Sequence, residues 1–416
     1  MRFKRVVITG LGAITPLGNN ITDYWQNLLA GVSGARDITK FDTTHFRTKF
    51  ACEVKGFDPL NHFDSKEARK LDPFCHYALV AADEAIKSSG ILLEKIDRTK
   101  VGVIWTSGMG GLTTIDEQLI EYGGGRGKPR FTPFFVPKII TDMSAGLISI
   151  KYGFQGVNFA TVSACASSTN AIADALMYIR LGKANVIIAG GAEAVITESG
   201  VGGFNAMKAL SERNESPETA SRPFDSSRDG FVIGEGAGAL VLEELEHAWS
   251  RGATIYAEVI GAGLSADAYH MTATHPEGDG AYLAMKNALA DAQIGPWEVD
   301  YLNAHATSTP QGDLSEIRAI SRIFGDHLPR LSISATKSMT GHLLGAAGAI
   351  EAIACVKAIQ DGIIPPTINT EIIDSNVPPS ADLTLKEARS RMIDIAMSNT
   401  FGFGGHNAIV IFKRLV

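Results

Sequence analysis

A chain of 416 residues exceeds one ordinary core, so two packed domains, or one unit duplicated and fused to itself, is the natural expectation. With 45% hydrophobic residues, 20% charged residues and 43 glycines, the composition is that of a compact α/β globule and excludes a disordered chain. A formal charge of −7 excludes a general nucleic-acid binder, which needs a basic surplus, and no apolar run reaches the ~20 residues of a membrane span.

In chain order, strand-like apolar runs fall at residues 6–9, 101–105 and 186–189, separated by helical periodicity at 76–88 and 171–181. The second half repeats this order, with strands at 255–260, 299–303, 331–334 and 408–412 and helices at 281–292 and 346–360. VVITGLGAITP and YAEVIGAGLSAD both read as an apolar strand ending in GxG. SACASSTNAIADAL and MTGHLLGAAGAIEAI both place a reactive side chain ahead of a small-residue helix. We read an internal duplication joined near 251–254, after a charged helix at 242–250, giving halves 1–252 and 253–416. The alternative is chance similarity of two α/β segments.

Two glycine clusters lack the chemistry they suggest at first sight. GGGRGKPR (123–130) has Tyr122 where a phosphate loop needs glycine, so it reads as a surface loop. The GLG of Gly10 to Gly12 is followed by Thr15 instead of a third glycine, and no acid stands near position 30 to hold a ribose. The four cysteines, Cys52, Cys75, Cys165 and Cys355, show neither CxxC spacing nor a disulfide framework, which fits a reducing compartment. The start MRFKRVVITGLG is too brief and too glycine-broken for a signal peptide. A soluble, cytoplasmic protein is expected.

Cys165 lies in VSACASSTNAIADA, where small neighbours permit a tight turn and a helix follows at once. Unpaired N–H groups at a helix N-terminus favour a thiolate, so this is a candidate nucleophile; a buried structural cysteine is the alternative. Cys52, Cys75 and Cys355 lack that setting. His305, in YLNAHATSTPQGD, follows a strand end on a loop expected to expose it, with hydroxyls at Thr307, Ser308 and Thr309 suited to a polar substrate arm. His342, in SATKSMTGHLLGAAGAIEA, follows Lys337 and Gly341 and precedes a small-residue helix beginning near Leu343, a setting that mirrors Cys165. A duplication would bring these two helix starts face to face, with His305 beside them. SNTFGFGGHNAIVIF joins a glycine turn to a final strand; a plain hairpin is the alternative to a ligand-approaching backbone.

Together, GLGAITPLG, SACASS, NAHATSTPQGD, TKSMTGHLLGAAGAIE and NTFGFGGHN, in this order along the whole chain, closely resemble the β-ketoacyl-acyl-carrier-protein synthases of the thiolase superfamily, most closely the synthase II type. The resemblance implies a thiolase-like duplicated α/β fold, layered α-β-α-β-α with two mixed five-stranded sheets. It implies Cys165 as acyl acceptor, with the N–H groups of Cys165 and Phe403 as oxyanion hole and Phe401, Gly402 and Phe403 as gate. It makes His305 and His342 donors for decarboxylating malonyl, Lys337 and Glu351 their support, Thr307 and Thr309 the pantetheine contacts, and Met109 a wall of the acyl pocket. Arg69, Lys70 and Lys208 match carrier-docking positions. A homodimer served by acyl carrier protein, no cofactor, no catalytic metal and at most a structural cation near Asn303, Glu351 and Ser398 complete the expectation. Ala306 stands where glycine is frequent and His406 where threonine is frequent; neither removes a reactive atom, and His406, beside the glycine turn, bears on how the Phe403 loop moves. A degradative thiolase would need a second cysteine near the C-terminus, where this chain has FGFGGHN. A type II polyketide or aryl-polyene ketosynthase is the rival reading, since it would keep all three catalytic residues.

Overall fold

The computed structural model describes residues 3–125 and 130–415. The first half runs β1 (Val6–Ile14), α1 (Pro73–Ser88), β2 (Val101–Thr106), α2 (Met143–Tyr152), β3 (Asn158–Phe159), α3 (Ser167–Arg180), β4 (Val186–Glu193) and β5 (Gly236–Glu244). The second half runs β6 (Ala257–Ala266), α4 (Asp279–Ala292), β7 (Tyr301–Asn303), α5 (Pro310–Phe324), β8 (Ser332–Ser334), α6 (Ala347–Asp361), β9 (Ile395–Gly402) and β10 (His406–Lys413). Side by side, the strands lie in the order β3-β2-β4-β5-β1 and then β6-β10-β9-β7-β8, with a short edge strand, Asp382–Leu383, beyond β8. In each half two of the four strand pairings are parallel and two antiparallel, in matching places, so one strand, β5 or β10, runs against the other four. The two sheets touch where β1 meets β6 at just two pairs, Val7 with Glu258 and Ile8 with Ala257.

The side-chain alternation of these strands builds the layers, because neighbours along a strand point to opposite faces. Leu240 and Leu242 of β5 face an inner core with Ile172, Leu176 and Ile179 of α3 and Ile350 and Ile353 of α6, while Ala239 and Val241 face an outer core with α1. On the other sheet, Val410 and Phe412 of β10 point inward and Ile409 and Ile411 point outward toward α4 and α5. The result is helix, sheet, paired helices α3 and α6, sheet, helix.

The GxG repeats mark close helix-on-sheet packing. A Cβ at Gly10 would sit 2.1 Å from Ala85 O and one at Gly12 2.0 Å from Ala81 O, so α1 rests directly on β1. In the second half Gly261 and Gly263 receive α4 the same way, 2.8 Å from Ala288 O and 2.1 Å from Ala284 O. Both strands therefore continue through their glycines instead of ending at them. The expected helix at 242–250 is corrected: residues through Glu244 complete β5, and only Leu245–Ser250 is helical. Glu243 is buried in the strand because Thr9 Oγ1 and the Arg251 guanidinium both donate to it, at 2.7 Å. The expected loop at 123–130 starts as the end of a helix, Leu112–Gly125; residues 126–129 lie outside the described residues.

The N-termini of α3 and α6 meet in the inner layer. Ala349 N donates to Ser168 Oγ at 2.9 Å, Thr169 Oγ1 bonds Thr400 Oγ1 at 2.7 Å, and a Cβ at Gly348 would lie 2.0 Å from Thr169 Oγ1. Gly348→Ala should therefore cost roughly 1–3 kcal/mol of stability through overpacking. Gly203→Ala, on a helical position with nothing within 4 Å, should gain roughly 0.8–1.0 kcal/mol. Urea unfolding of both variants checks the contrast, and equal changes would contradict it.

Candidate active site

Cys165 stands two residues ahead of α3, on a turn held by its own side chains. Ser167 Oγ donates to Ala164 O at 2.6 Å and accepts from Ser163 N at 2.8 Å, and Ala164 takes a left-handed φ of 50° that a larger side chain would strain further. The turn after β9 presses on this one: a Cβ at Gly402 would fall 2.7 Å from Ser163 O and 3.0 Å from Cys165 N. That contact aims the N–H groups of Phe403 and Cys165 at the sulfur, where they pull the thiol pKa down. Burial outweighs them and the Lys337 ammonium, pushing the thiol up to about 12. The expectation that the helix start would leave a thiolate is thus corrected: desolvation dominates.

His305 follows β7, and its peptide is clamped by Glu316 of α5. His305 N and Ala306 N donate to the two Glu316 oxygens at 2.9 and 2.7 Å, and Asn399 Nδ2 holds the same carboxylate at 3.0 Å. The loop does not expose His305 as expected; its surface is only 9% accessible, because the clamp turns it into the interior. His342 is fixed by its backbone, donating to Val232 O at 2.8 Å and accepting from Gly234 N at 2.9 Å. A 3₁₀ turn, Leu344–Ala346, separates it from α6, so the helix starts later than the expected Leu343.

The two imidazoles stand edge to face, centroids 5.2 Å apart at 87°. Phe401 abuts His305 at 5.6 Å and Phe231 abuts His342 at 5.4 Å. Nδ1 of each ring is buried and, among the described residues, has no hydrogen-bond partner. Burial first, then the positive charge of Lys337, holds both pKa values well below the ordinary 6.5, and His342 adds to the effect on His305. Lys337 is itself buried and ion-paired with buried Glu351, whose carboxyl is raised by burial and pulled back by that ammonium.

One cavity of about 690 Å³ is lined by Cys165, His305, His342, Met109, Thr307, Thr309, Phe401, Gly402 and Phe403, with Lys208 also on its wall. Thr307 Oγ1 and Thr309 Oγ1 lie 3.1 Å apart. Arg69 and Lys70 are exposed and do not line it. Among the described residues, Asn303 Oδ1, Glu351 Oε2 and Ser398 Oγ are buried oxygens with no N or O hydrogen-bond partner. Sequence reasoning missed Glu316 and Glu193. The signals were there: Glu316 lies three residues after Asp313 on α5, and Glu193 is an acid ending the otherwise apolar strand VIIAGGAE.

Family comparison decides what this geometry belongs to. The description "Beta-ketoacyl synthase, N-terminal domain" matches residues 3–248 and "Beta-ketoacyl synthase, C-terminal domain" matches 256–371. The chain belongs to the β-ketoacyl synthase family. The synthase is 49% identical to a 3-oxoacyl-acyl-carrier-protein synthase 2 of Coxiella burnetii, over 100% of both chains. It superposes on a β-ketoacyl synthase from Burkholderia phymatum with TM-score 0.91 at 36% identity, covering 99% of this chain and 100% of that one. A type II polyketide ketosynthase in complex with its acyl carrier protein aligns with TM-score 0.90 at 32% identity, covering 99% and 100%. The thiolase-like layering expected from the sequence is the fold of the synthase.

Histidine-selective NMR titration should find the His305 and His342 rings neutral where exposed histidines are half protonated. Lys337→Met should raise both pKa values, since its ammonium depresses them. The sign for stability follows: below about pH 6.5 an unfolded histidine takes a proton that the native ring refuses, so stability falls as pH drops. Ordinary titration of both rings would contradict this environment.

Proposed function

We propose that the synthase performs a decarboxylative Claisen condensation, extending an acyl group on Cys165 with malonyl delivered by acyl carrier protein. The observation that carries this reading is the convergence of Cys165, His305 and His342 on one cavity, with the N–H groups of Cys165 and Phe403 at the sulfur. In the first half-reaction the Cys165 sulfur attacks the acyl thioester, and the carrier thiol leaves with the proton that Cys165 gives up. The oxyanion of the tetrahedral intermediate forms beside the two N–H groups, which stabilise charge that the ground state lacks. A thiol pKa near 12 makes attack at neutral pH depend on removal of that proton as the bond forms.

In the second half-reaction neutral His305 and His342 donate through Nε2 to the malonyl thioester oxygen. Loss of carbon dioxide leaves an enolate whose charge settles on that oxygen, and the carbanion attacks acyl-Cys165, releasing the sulfur and a 3-oxoacyl carrier. The depressed histidine pKa values suit donors that stay uncharged, and Lys337 keeps them so. Thr307 and Thr309 fit the amides of the pantetheine arm, Phe401, Gly402 and Phe403 gate the entrance, and Met109 walls the acyl chain. We assign docking of the carrier, an acidic partner, to Lys208 at the cavity and to the exposed Arg69 and Lys70. The unpaired oxygens of Asn303, Glu351 and Ser398 suit a hard cation with a structural role.

We further read the chain as two halves, 1–252 and 253–416, and the working form as a cytoplasmic homodimer. Support for the dimer comes from the open edge of β3 and from exposed apolar side chains such as Phe134, Val136, Ile150 and Val162. Fatty acid elongation is favoured over polyketide extension because identity is 49% to the synthase 2 relative and 32% to the polyketide ketosynthase.

Cys165→Ala should abolish acyl loading while still decarboxylating malonyl-carrier protein. His305→Ala and His342→Ala should each lose decarboxylation by roughly 10²–10³-fold while Cys165 still acylates. Intact-mass analysis and carbon dioxide release read the two steps separately. Undiminished decarboxylation in both histidine variants would overturn the division of labour.

A further inference from the structure

One buried acid in this region has no place in the chemistry above. Glu193 ends β4 with no accessible surface, and among the described residues neither oxygen pairs with a cation. Each oxygen accepts two hydrogen bonds instead. Ser107 Oγ and Met109 N donate to Oε1 at 2.8 and 3.2 Å, and Gly108 N and Gly345 N donate to Oε2, both at 2.9 Å. Three of these donors belong to the loop that presents Met109 to the cavity. The fourth belongs to the turn three residues beyond His342.

The fit is tight enough to dictate its neighbours. A Cβ at Gly108 would lie 2.7 Å from Glu193 Oε2 and one at Gly345 also 2.7 Å, with Gly108 N 2.4 Å from the Gly345 position. Both sites therefore need glycine so that two backbone segments can close on one carboxylate. Ser107 Oγ passes the constraint on, accepting from Gly110 N at 2.8 Å. An amide in place of the carboxylate would turn an NH₂ toward one of the two donor pairs, so the arrangement calls for four acceptor lone pairs and not merely a polar side chain of this size.

We propose that Glu193 is a positioning residue for chain-length selection: it locks the Met109 wall of the acyl pocket to the turn that carries His342, so that the space given to the acyl chain and the placement of the decarboxylating ring are set together. The inference rests on Met109 walling the acyl pocket and Cys165 carrying the acyl group. It assigns Glu193 no contact with substrate. Burial raises the Glu193 carboxyl and the four donors pull it back, and its charge sits close enough to raise the Cys165 thiol as well.

The test compares Glu193→Gln and Ser107→Ala with the native enzyme across acyl carrier proteins bearing short to long saturated chains, reading Cys165 acylation by intact mass and malonyl decarboxylation separately. Glu193→Gln should keep short-chain acylation, lose long-chain acylation by roughly tenfold and lower decarboxylation with it. Ser107→Ala loosens the Met109 side alone, so it should change the chain-length profile with a smaller fall in decarboxylation. Loss by one common factor at every chain length in either variant would overturn the proposal, because a merely structural acid would act that way. If Glu193→Gln does not fold, an unchanged chain-length profile in Ser107→Ala overturns it alone. Absence of any acyl-Cys165 in the native enzyme would instead sink the reading of the site on which the proposal rests.

Discussion

Ala349 N–H donates to Ser168 Oγ across the junction of two helices whose first turns lie in backbone contact at Thr169 and Gly348. Much of the site follows from that contact. Two five-stranded sheets cover the helix pair from either side, so the N-terminal ends of both helices are buried at one place. Cys165 leads into one helix and His342 into the other. Their meeting is a consequence of how a repeated β-α-β unit packs against its copy, and small residues at the junction are what permit it: Ser168, Gly348 and Ala349 leave no side chain large enough to hold the helices apart.

Burial at that junction then decides the electrostatics. A thiol and two imidazoles removed from water all favour their neutral forms, whatever the helix ends contribute, and one ammonium, Lys337, biases the set. The same charge that lowers the thiol pKa lowers those of the histidines, so a single buried ion pair with Glu351 serves opposite needs: an easier thiolate and uncharged hydrogen-bond donors. Around this centre the supporting acids, Glu193 and Glu316, hold mainly backbone N–H groups, which makes them clamps on loop geometry more than sources of reactivity.

The repeated unit was legible in the sequence because its elements obey local rules. Alternation marked the strands, the 3.6-residue period marked the helices, and GxG recurred at the same place in each half because α1 and α4 each need bare backbone beneath them. The reactive side chains were legible as motifs. What escaped was anything set by distant partners. Glu243 read as part of a charged helix, yet it lies buried in β5, where Thr9 donates to it and Arg251 pairs with it. His305 looked exposed until Glu316 and Asn399, from two other elements, fold its loop inward. Glu193 stood out only as an acid ending an apolar strand; its donors come from two distant segments, residues 107–109 and Gly345, and no spacing along the chain foretells that. Lys208 reached the cavity wall, whereas Arg69 and Lys70 did not.

The central claim is that carbon dioxide leaves and a carbon–carbon bond forms in one cavity, at the expense of an acyl group on Cys165. Single turnover tests it most directly: enzyme loaded with an acyl group is isolated, mixed with malonyl-carrier protein, and followed by intact mass for both proteins and by released carbon dioxide. The account predicts that acyl-Cys165 disappears in step with carbon dioxide release, one for one, while the carrier gains a 3-oxoacyl group longer by the two carbons malonyl retains. Carbon dioxide released while acyl-Cys165 persists and the carrier ends as acetyl would contradict it.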